Sequence, residues 1–337
     1  MRSAPVRIGF IGAGAIARDR HVPGFRRTPG VSLHGVVNRT AESSRRAAAA
    51  FGFERTYRTW QQLIGDPEID AVVIGTWPYL HARATLAALD AGKHVLCQAR
   101  MAMNAAEARA MLQAAVEHPE QVAMLVPSPF SIWADLTIRR VIESGALGRL
   151  LFVRAIWGDA RPGDALHWRQ RRRYSGNNIM SLGIVYEAVM RWLGPASAVT
   201  AVTRLFEPDR VGGTADVPDH VNLVAELPAG VLLQLEVSTR TGSDPLREIV
   251  LYGDRGSLRG DFSRSRLELR SDGNEAPVVP RPDERRDWEV EREFVGAIRG
   301  EREVRLNDFA VGVRYMELTD AVHRSARLGR RGAVPGA

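Results

Sequence analysis

The fold of this chain is decided near its beginning, by the stretch Val6-Arg7-Ile8-Gly9-Phe10-Ile11-Gly12-Ala13-Gly14-Ala15-Ile16-Ala17. An apolar run typical of a buried strand leads into the pattern G-x-G-x-x-A, and an amphipathic stretch over residues 15–27 predicts a helix after it. Gly12 permits a tight turn, Gly14 lets the backbone approach a pyrophosphate, and Ala17 lets helix and strand pack closely. Free N–H groups at the start of the helix favour an anion there. The stretch therefore predicts a dinucleotide-binding loop whose contacts are Gly12, Gly14, Ala15 and Ile16.

Strands and helices alternate along the first part of the chain. Further apolar runs occupy residues 32–37, 71–75, 94–97 and 122–126, and amphipathic stretches occupy residues 41–51, 82–91 and 105–116. This alternation, with strands apolar on both faces, predicts a doubly wound parallel Rossmann sheet covered by helices. Pro127-Ser128-Pro129 then breaks the regular structure. We place the domain boundary there, with a dinucleotide-binding domain over residues 1–126 and a second domain over residues 127–337.

The second domain is predicted to contain mostly strands. They occupy residues 150–157, 198–206, 220–227, 231–238, 248–252 and 267–269, with helices over residues 132–144, 285–299 and 308–328. Gly230 and Asp254-Arg255-Gly256 supply hairpin turns. The pattern predicts an α+β domain with an open, mostly antiparallel sheet and helices on one face.

The composition is that of an ordinary globular protein. The chain has 337 residues, of which 45% are hydrophobic and 25% charged, and its formal net charge is +7. The excess is arginine scattered along the chain, so we interpret it as a solvated surface and expect no nucleic-acid partner. The alternative is local attraction of an anionic cofactor or substrate, and the densest cluster is Arg169, Arg171, Arg172 and Arg173.

Other sequence features limit the function classes. Cys97 is the only cysteine, so no intramolecular disulfide forms and a reducing compartment is expected. No signal peptide is recognisable, and no apolar run approaches the roughly 18 residues that a membrane span needs. No spacing such as H-E-x-x-H or C-x-x-C predicts a metal. We therefore expect a cytoplasmic protein that acts on a small molecule, with no membrane or metal partner.

The end of the second strand bears on the choice of cofactor. An NAD site usually places Asp or Glu there to bind the ribose hydroxyls, whereas this chain has Asn38-Arg39-Thr40 and no carboxylate before Glu42. Arg39 can pair with a 2′-phosphate, and Asn38 and Thr40 can donate hydrogen bonds to it. The sequence predicts NADP, with NAD as the alternative.

Several motifs together resemble the Gfo/Idh/MocA oxidoreductase family over nearly the whole chain. Besides the glycine loop they are Glu68-Ile69-Asp70-Ala71-Val72-Val73-Ile74-Gly75, Leu89-Asp90-Ala91-Gly92-Lys93-His94-Val95-Leu96, Gly145-Ala146-Leu147-Gly148 and Glu293-Phe294-Val295-Gly296-Ala297-Ile298-Arg299. The resemblance implies a Rossmann domain and an α/β domain whose open sheet often joins subunits. It also implies redox chemistry on sugars, inositols and related polyols or ketones. We therefore expect a homo-oligomer, a dimer or a tetramer, assembled through the C-terminal sheet.

The chain departs from this family at the residues that usually transfer protons. The family places Glu-Lys-Pro where this chain has Gln98, Ala99 and Arg100. It also places Asp-x-Gly-x-His where Ser181 and Val185 take the aspartate and histidine positions. General acid–base help is typically worth about 10²–10⁴-fold, so its loss slows hydride transfer without forbidding it. Either other groups transfer the proton, or the family's chemistry is lost.

Replacement groups can be proposed near these positions. Arg100 can polarise a carbonyl, His167 is of the residue type that most often shuttles protons, and Tyr186 can reach the pocket edge. Each has a structural alternative: a phosphate or surface contact, a loop histidine without a role, and a packed tyrosine. For substrate contacts the sequence offers Trp77, Arg169, Asn178 and Ser181.

The loop Thr76-Trp77-Pro78-Tyr79-Leu80-His81 resembles the family's cofactor-side loop. The resemblance adds Thr76, Trp77, His81 and Gln98 to the cofactor contacts, although His81 in this position usually belongs to the scaffold. Trp77 is unusual there and is expected to wall the nicotinamide or substrate pocket.

The sequence thus predicts an NAD(P)-dependent oxidoreductase acting on a hydroxyl or ketone of a sugar-like or polyol-like substrate. One alternative is a cofactor-binding accessory or sensor protein without redox turnover. Another is net non-redox chemistry, an elimination or epimerisation that uses bound nicotinamide.

Overall fold

The backbone of the chain divides into two compact units. The structure is a computed structural model that describes residues 4–159, 165–241, 246–271, 273–304 and 307–336. Unit 1 comprises Met1–Pro127 and Glu289–Val313, and unit 2 comprises Ser128–Trp288 and Arg314–Ala337. Among the described residues, no helix is long and apolar enough to cross a membrane.

Strands and helices have the following bounds. The strands are β1 (Val6–Ile11), β2 (Val31–Val37), β3 (Arg55–Thr56), β4 (Ala71–Ile74), β5 (His94–Cys97), β6 (Ala123–Leu125), β7 (Leu150–Gly158), β8 (Ala198–Arg204), β9 (Asp209–Arg210), β10 (Gly213–Thr214), β11 (His220–Glu226), β12 (Leu232–Ser238), β13 (Arg247–Gly253), β14 (Gly256–Asp261), β15 (Arg266–Ser271), β16 (Asn274–Pro277) and β17 (Gly332–Ala333). The α-helices are α1 (Val22–Arg27), α2 (Ala41–Phe51), α3 (Trp60–Ile64), α4 (His81–Asp90), α5 (Ala105–Glu117), α6 (Asp135–Glu143), α7 (Arg172–Ser175), α8 (Leu182–Leu193), α9 (Val290–Ile298) and α10 (Phe309–Leu328).

Unit 1 contains the parallel sheet that the glycine pattern predicts. Its six strands lie in the order β3-β2-β1-β4-β5-β6, and every pairing is parallel. β1 and β4 are almost completely buried, as expected for strands covered on both faces. The order reverses at β1, so the crevice for a ligand lies at the carboxyl ends of β1 and β4. The Rossmann prediction is confirmed.

Local details of unit 1 differ from the sequence expectation. The short elements β3 and α3 were not predicted, because two and five residues carry too little periodicity. The predicted helix over residues 15–27 is not uniform: Ala17–His21 is a π-helical turn, and α1 continues from Val22. Such turns are rare and often lie at functional sites.

The C-terminal segment that returns to unit 1 also differs from the expected division at residue 127. Glu289–Val313 clusters with the Rossmann sheet, whereas the sequence analysis assigned it to the second domain. The reason is packing: Val290, Phe294 and Val295 of α9 are fully buried. A Cβ on Gly24 of α1 would lie 2.1 Å from Oε2 of Glu291, so the two helices approach closely. Sequence patterning does not report contacts between segments this far apart.

Unit 2 is built on an open sheet of nine strands in the order β16-β15-β14-β13-β7-β12-β11-β8-β17. All pairings are antiparallel except β7 with β12. The prediction of an open, mostly antiparallel sheet is confirmed. β8, β11 and β12 alternate between buried and exposed residues, so one face of the sheet is packed and the other is open.

At one end of the inner strands of this sheet, the last residues of β7 and β12 lie next to the first residues of β11 and β13. Asp159 N–H donates to Ser238 O at 2.8 Å, and Thr239 N–H donates to Asp219 O at 3.0 Å. The carboxyl ends of β7 and β12 therefore lie beside the start of β11. Arg247, at the start of β13, pairs with Trp157 of β7 and extends the same row.

Candidate functional site

The glycine loop of unit 1 is shaped by its backbone. Gly12 has φ +88°, and a Cβ there would lie 2.9 Å from Cγ2 of Thr76, so only glycine fits between β1 and β4. Gly14 is exposed, and a Cβ on it would meet no atom within 4 Å. The chain becomes helical at Ala15 and Ile16. Open space therefore borders the backbone where the pattern places a pyrophosphate, and the loop fits a dinucleotide.

Asn38 supports this loop from the end of β2. Its Oδ1 accepts a hydrogen bond from Ala13 N–H at 2.7 Å, and its Nδ2 donates to Ser43 O at 3.1 Å. Thr40 is the N-cap of α2, and its hydroxyl accepts from Ser43 N–H at 3.2 Å. Both side chains were expected to donate hydrogen bonds to a 2′-phosphate, whereas in the structure Asn38 holds the glycine loop and Thr40 caps α2.

Arg39 and Trp77 come together at the end of β2. The Arg39 guanidinium is exposed and lies 6.0 Å from the centroid of the Trp77 ring, at the outer limit of a cation–π contact. Rossmann folds hold the adenosine ribose at this position. Trp77 was expected to wall the nicotinamide or substrate pocket, which stays a prediction, and the structure places its ring beside the Arg39 guanidinium.

His81 fastens two loops of unit 1 to each other. Its Nε2 lies 2.9 Å from Thr76 O, and its Nδ1 lies 3.1 Å from Arg100 O. Burial lowers the pKa of His81 in spite of the carbonyl oxygens that raise it. Only 1% of His81 is exposed, so it positions Thr76 and Arg100 and does not itself face a ligand. The predicted cofactor contact at His81 is therefore indirect.

Gln98 and Arg100, two further candidates, are also buried. Gln98 is 9% exposed, and its amide contacts Nε2 of His21. The other ring nitrogen of His21 lies 2.5 Å from Oε1 of Glu291 on α9. Arg100 is 6% exposed and follows a cis peptide bond. The end of β5 is thus held in the core of unit 1 through His21.

A carboxylate lies beside the start of α8 in unit 2, although the helix lacks the family's aspartate. It belongs to Asp159, the residue after β7. Ser181 Oγ donates to Oδ2 of Asp159 at 2.6 Å. Arg247 donates to the other oxygen, Oδ1, at 2.7 Å, and its guanidinium lies 5.4 Å from the Trp157 ring. Asp159 is 15% exposed in its side chain. Val185 is fully buried, so the former histidine position is part of the core.

Tyr186 and Asn178 are in the interior of unit 2. Tyr186 is fully buried, and its hydroxyl oxygen accepts from Ala196 N–H at 2.7 Å. Burial raises the pKa of Tyr186 to about 12. Asn178 is 1% exposed, and its amide donates to Ser175 O at 2.6 Å. The proposed catalytic role of Tyr186 and substrate contact of Asn178 do not fit these positions, because both side chains are packed.

His167 and Arg169 lie in the loop before α7. Nδ1 of His167 accepts from Arg169 N–H at 3.3 Å, which leaves the ring proton on Nε2. The Arg169 guanidinium stacks 4.3 Å from the Trp168 ring. A cavity of about 20 Å³ is lined by Arg169, Met180 and Asp219 among others, so this loop lies against the start of α8 and the sheet edge.

One group of side chains on unit 1 has a composition that can bind a metal. Ligand atoms of His34, Asp66 and Glu68 lie within 4.8 Å of one another. Arg55 pairs with Glu68 at 2.5 Å, and the Tyr57 hydroxyl donates to Asp66 at 2.5 Å. These partners already satisfy the carboxylates, so the group is a charge network at the edge of the sheet.

Family models identify the class of protein. The model described as an oxidoreductase family with an NAD-binding Rossmann fold matches residues 6–125. The model of the Gfo/Idh/MocA C-terminal domain matches residues 136–259. The chain belongs to the Gfo/Idh/MocA oxidoreductases, and the resemblance found in the sequence is confirmed.

Similar proteins include sugar dehydrogenases and reductases. Levoglucosan dehydrogenase from Pseudarthrobacter phenanthrenivorans is 28% identical over 292 residues, which is 77% of this chain and 74% of that protein. A 1,5-anhydro-D-fructose reductase from Ensifer adhaerens is 32% identical over 57% of this chain and 59% of that protein. Among solved structures, levoglucosan dehydrogenase in complex with NADH has a TM-score of 0.88 at 24% identity, covering 99% of this chain and 100% of that one.

Sequence reasoning missed Asp159, Arg247 and the His21–Glu291 pair. One signal was available for Asp159, which comes two residues after the predicted strand over residues 150–157, since strand ends in α/β folds often carry functional side chains. Arg247 and Glu291 carry no such signal, because their roles depend on strand pairing and helix packing that only the tertiary structure provides.

Proposed function

We propose that this protein is an NAD(P)-dependent oxidoreductase acting on a hydroxyl or ketone of a small sugar-like or polyol-like molecule. Family membership, the fit of the glycine loop and the names of the similar enzymes support the class. The substrate proposal rests on the resemblance and on the polar side chains of Asp159, Ser181 and Arg247 at the strand ends of the unit 2 sheet.

The carboxylate of Asp159 is proposed to transfer the proton. The observation that carries this is the 2.6 Å hydrogen bond from Ser181, which stands where the family has aspartate, to Oδ2 of Asp159. In oxidation, the substrate O–H bond breaks toward Asp159, the C=O bond forms, and the carbon-bound hydrogen leaves as hydride. A bound nicotinamide supplies the hydride acceptor. In reduction, protonated Asp159 returns the proton to the oxygen.

Arg247 and Ser181 are proposed to position Asp159. Together they satisfy one lone pair on each oxygen, and each carboxylate oxygen has another for a substrate hydroxyl. His167, whose Nδ1 is held by its own loop, remains the second candidate for proton transfer.

Activity is tested by following absorbance of the reduced nicotinamide with purified protein and a panel of polyols, anhydrosugars and keto-sugars. We expect turnover of at least one panel member and a large loss in Asp159→Asn with cofactor affinity unchanged. Cofactor binding with no turnover across the panel would favour the accessory or sensor alternative. Substrate conversion without net absorbance change would favour an elimination or epimerisation.

The proposed cofactor is NADP, with NAD as the alternative. The exposed Arg39 guanidinium supports this, since Asn38 and Thr40 are occupied and no carboxylate is available at the end of β2. We expect NADPH to bind more tightly than NADH, and Arg39→Asp to remove or reverse the difference. Tighter NADH binding by the unmodified protein, measured by fluorescence titration, would contradict the proposal.

We also propose that the open face of the unit 2 sheet joins two copies of the chain in a homo-oligomer. Exposed Val202, Val224 and Leu232 lie on this face, and the two valines line a hollow of about 440 Å³. Arg154 and Glu236 add both signs of charge, as a self-complementary contact requires. Sedimentation should show an oligomer that Val224→Glu dissociates, whereas Val279→Glu, at another exposed valine, leaves it intact. A monomeric unmodified protein would contradict this.

The single cysteine supports a cytoplasmic location. Cys97 is free and fully buried, and burial raises the pKa of its thiol. A buried neutral thiol reacts slowly, so Cys97 is not expected to form a disulfide.

A further inference from the structure

A chain of three polar side chains joins the end of β5 to α9 within unit 1. Gln98, the residue after β5, contacts Nε2 of His21 through its amide nitrogen. Nδ1 of His21 lies 2.5 Å from Oε1 of Glu291 on α9. His21 is fully buried and Glu291 is 1% exposed. Burial of an imidazole and a carboxylate is costly unless they bind each other, and a satisfied network of this kind holds its members rigidly.

Glu291 determines which nitrogen of the His21 ring carries the proton. A carboxylate can only accept hydrogen bonds, so Nδ1 of His21 donates to Glu291. A neutral imidazole has one N–H, and Nε2 of His21 is therefore left as an acceptor. The partner that Nε2 needs is a donor, and the amide nitrogen of Gln98 is the group that lies against it.

The orientation of the Gln98 amide follows from this arrangement. Its nitrogen faces His21, so the amide oxygen, Oε1, is the end that remains for another partner. Oε1 accepts no hydrogen bond from the described residues and is not completely enclosed, since Gln98 keeps 9% of its surface exposed. An acceptor is thus left open directly after β5.

The end of β5 lies beside the glycine loop. Gln98 N–H donates to Ile74 O of β4 at 3.0 Å, and the N–H of Gly75, the next residue after β4, donates to Ile11 O of β1 at 2.8 Å. A Cβ on Gly75 would lie 2.3 Å from Gly12 O, so the ends of β4 and β1 approach closely. Gln98 is therefore at the carboxyl end of the parallel sheet, where a Rossmann fold binds its dinucleotide.

The strand order indicates which half of a dinucleotide meets Gln98. The end of β2 is the place of the adenosine ribose, and the loop after β1 is that of the pyrophosphate. β4 and β5 lie on the other side of β1 from β2. A dinucleotide that extends from β2 over β1 therefore brings its nicotinamide half to the ends of β4 and β5. The ribose hydroxyls and the carboxamide N–H groups of that half are donors, which an amide oxygen can accept.

We propose that His21 and Glu291 position Gln98, whose Oε1 accepts a hydrogen bond from the nicotinamide half of the cofactor. Glu291 fixes the proton on Nδ1 of His21, and Nε2 of His21 holds the amide nitrogen of Gln98. The inference rests on the proposed function, since it concerns the cofactor of that reaction. It also gives the return of α9 to unit 1 a role at the cofactor site.

The protonation of His21 is measured without any cofactor. Nitrogen-15 NMR distinguishes imidazole rings protonated at Nδ1, at Nε2 or at both, and the His21 signals are identified by their change in Gln98→Ala. We expect the Nδ1–H form for His21 at neutral pH. A ring protonated at Nε2, or at both nitrogens, would turn the Gln98 oxygen towards His21 and would overturn the proposal.

Cofactor affinity is measured by calorimetric titration with NADPH and NADH, and with 2′,5′-ADP and ADP as probes that lack the nicotinamide half. Gln98→Ala should weaken dinucleotide binding by about fivefold to tenfold, the loss of one hydrogen bond, and leave the probes unaffected. Glu291→Gln should act in the same direction, because a glutamine amide accepts either protonated form of His21. Gln98→Glu should bind dinucleotides within about threefold of the unmodified protein, since a carboxylate keeps an acceptor at this position.

Glu54→Gln is the matched control. Oε2 of Glu54 lies 3.0 Å from Nδ1 of the buried His34, in a second histidine–glutamate pair of unit 1. This pair does not contact Gln98. We expect Glu54→Gln to leave the affinities for dinucleotides and probes unchanged.

A purely structural role of His21 and Glu291 predicts a different pattern. Glu291→Gln would then lower the melting temperature and weaken dinucleotides and probes alike. Unchanged dinucleotide affinity in Gln98→Ala, or equal weakening of dinucleotides and probes, would overturn the inference and leave the oxidoreductase proposal standing. Selective weakening in a protein that turns over no substrate would support the inference and count against the oxidoreductase proposal. Failure of the unmodified protein to bind either dinucleotide would overturn both.

Discussion

The glycine loop of unit 1 and the start of α8 in unit 2 differ in how strongly the backbone geometry restricts the residue types there. In the loop, backbone geometry dictates the residue types: Gly12 has φ +88° and lies against Thr76, and Gly14 borders open space. At Ser181 and Val185, by contrast, no backbone constraint of this kind dictates the residue type. Ser181, the residue before α8, and Val185 within it are accommodated where the family has Asp and His, and the carboxylate comes from Asp159, directly after β7.

This difference explains why one region keeps its family pattern and the other does not. Phosphate binding by backbone N–H groups has few sequence solutions, so the motif stays readable. Proton transfer needs only a group of suitable chemistry within reach, and neighbouring elements can supply it. A missing motif residue is therefore weak evidence of lost chemistry until the surrounding strand ends have been inspected.

The sharpest test of the comparison is Asp159→Asn. If the carboxylate transfers the proton, kcat should fall by about 10²–10⁴-fold with little change in cofactor affinity. Ser181→Ala should cost less, about tenfold, because it removes one hydrogen bond and leaves the carboxylate. Steady-state kinetics on the best panel substrate measures both. Asp209→Asn, at an exposed carboxylate of the same unit, is the control, and full turnover in Asp159→Asn would show that the proton passes elsewhere.

Gly14→Val tests the loop half of the comparison. The valine side chain would occupy the open space beside the loop, so cofactor affinity should fall about 100-fold or more. The fold should survive, since a Cβ at Gly14 meets nothing within 4 Å. Gly12→Val should instead destabilise unit 1, because it adds strain at positive φ and a clash with Thr76. Calorimetric titration and thermal melting separate the two effects, and normal cofactor binding by Gly14→Val would place the phosphate site elsewhere.

The smallest expected effect is that of Tyr186→Phe. It leaves the buried Ala196 N–H without an acceptor, so the free energy of unfolding should fall by about 1–3 kcal/mol with kcat unchanged. The neutral phenol is favoured in the folded protein, because burial raises its pKa to about 12. The contribution of Tyr186 to the free energy of unfolding should therefore be constant below about pH 10, the ordinary pKa of a tyrosine in the unfolded chain. It should be lost as the pH rises further.

The control for Tyr186 is Tyr252→Phe, which keeps the stacking on Phe152 at 4.5 Å. Its free energy of unfolding, from denaturant titration, should change by less than about 0.5 kcal/mol. A loss of kcat in Tyr186→Phe beyond the stability effect would restore the catalytic role that burial argues against.

The sequence by itself determined the Rossmann sheet, the open antiparallel sheet and the cofactor loop. These features depend on local signals: the period of apolar residues, the glycine pattern and turn residues. The same signals place the first strand at Val6–Ile11, and the structure has it at those residues. They do not report burial: His81, included among the cofactor contacts, is 1% exposed and holds the scaffold, because a motif gives position along the chain and not the direction of a side chain.

Only the tertiary structure decided which side chains meet. It brought Glu291 to His21 across some 270 residues, returned α9 to unit 1, and joined Asp159 to Ser181 and Arg247. It also buried Tyr186 and Asn178, which their places along the chain near Ser181 and Val185 had suggested for the site. The physical reason is that long-range contacts follow from strand order and helix packing, which sum many weak interactions over the whole chain, whereas sequence patterns report only neighbours.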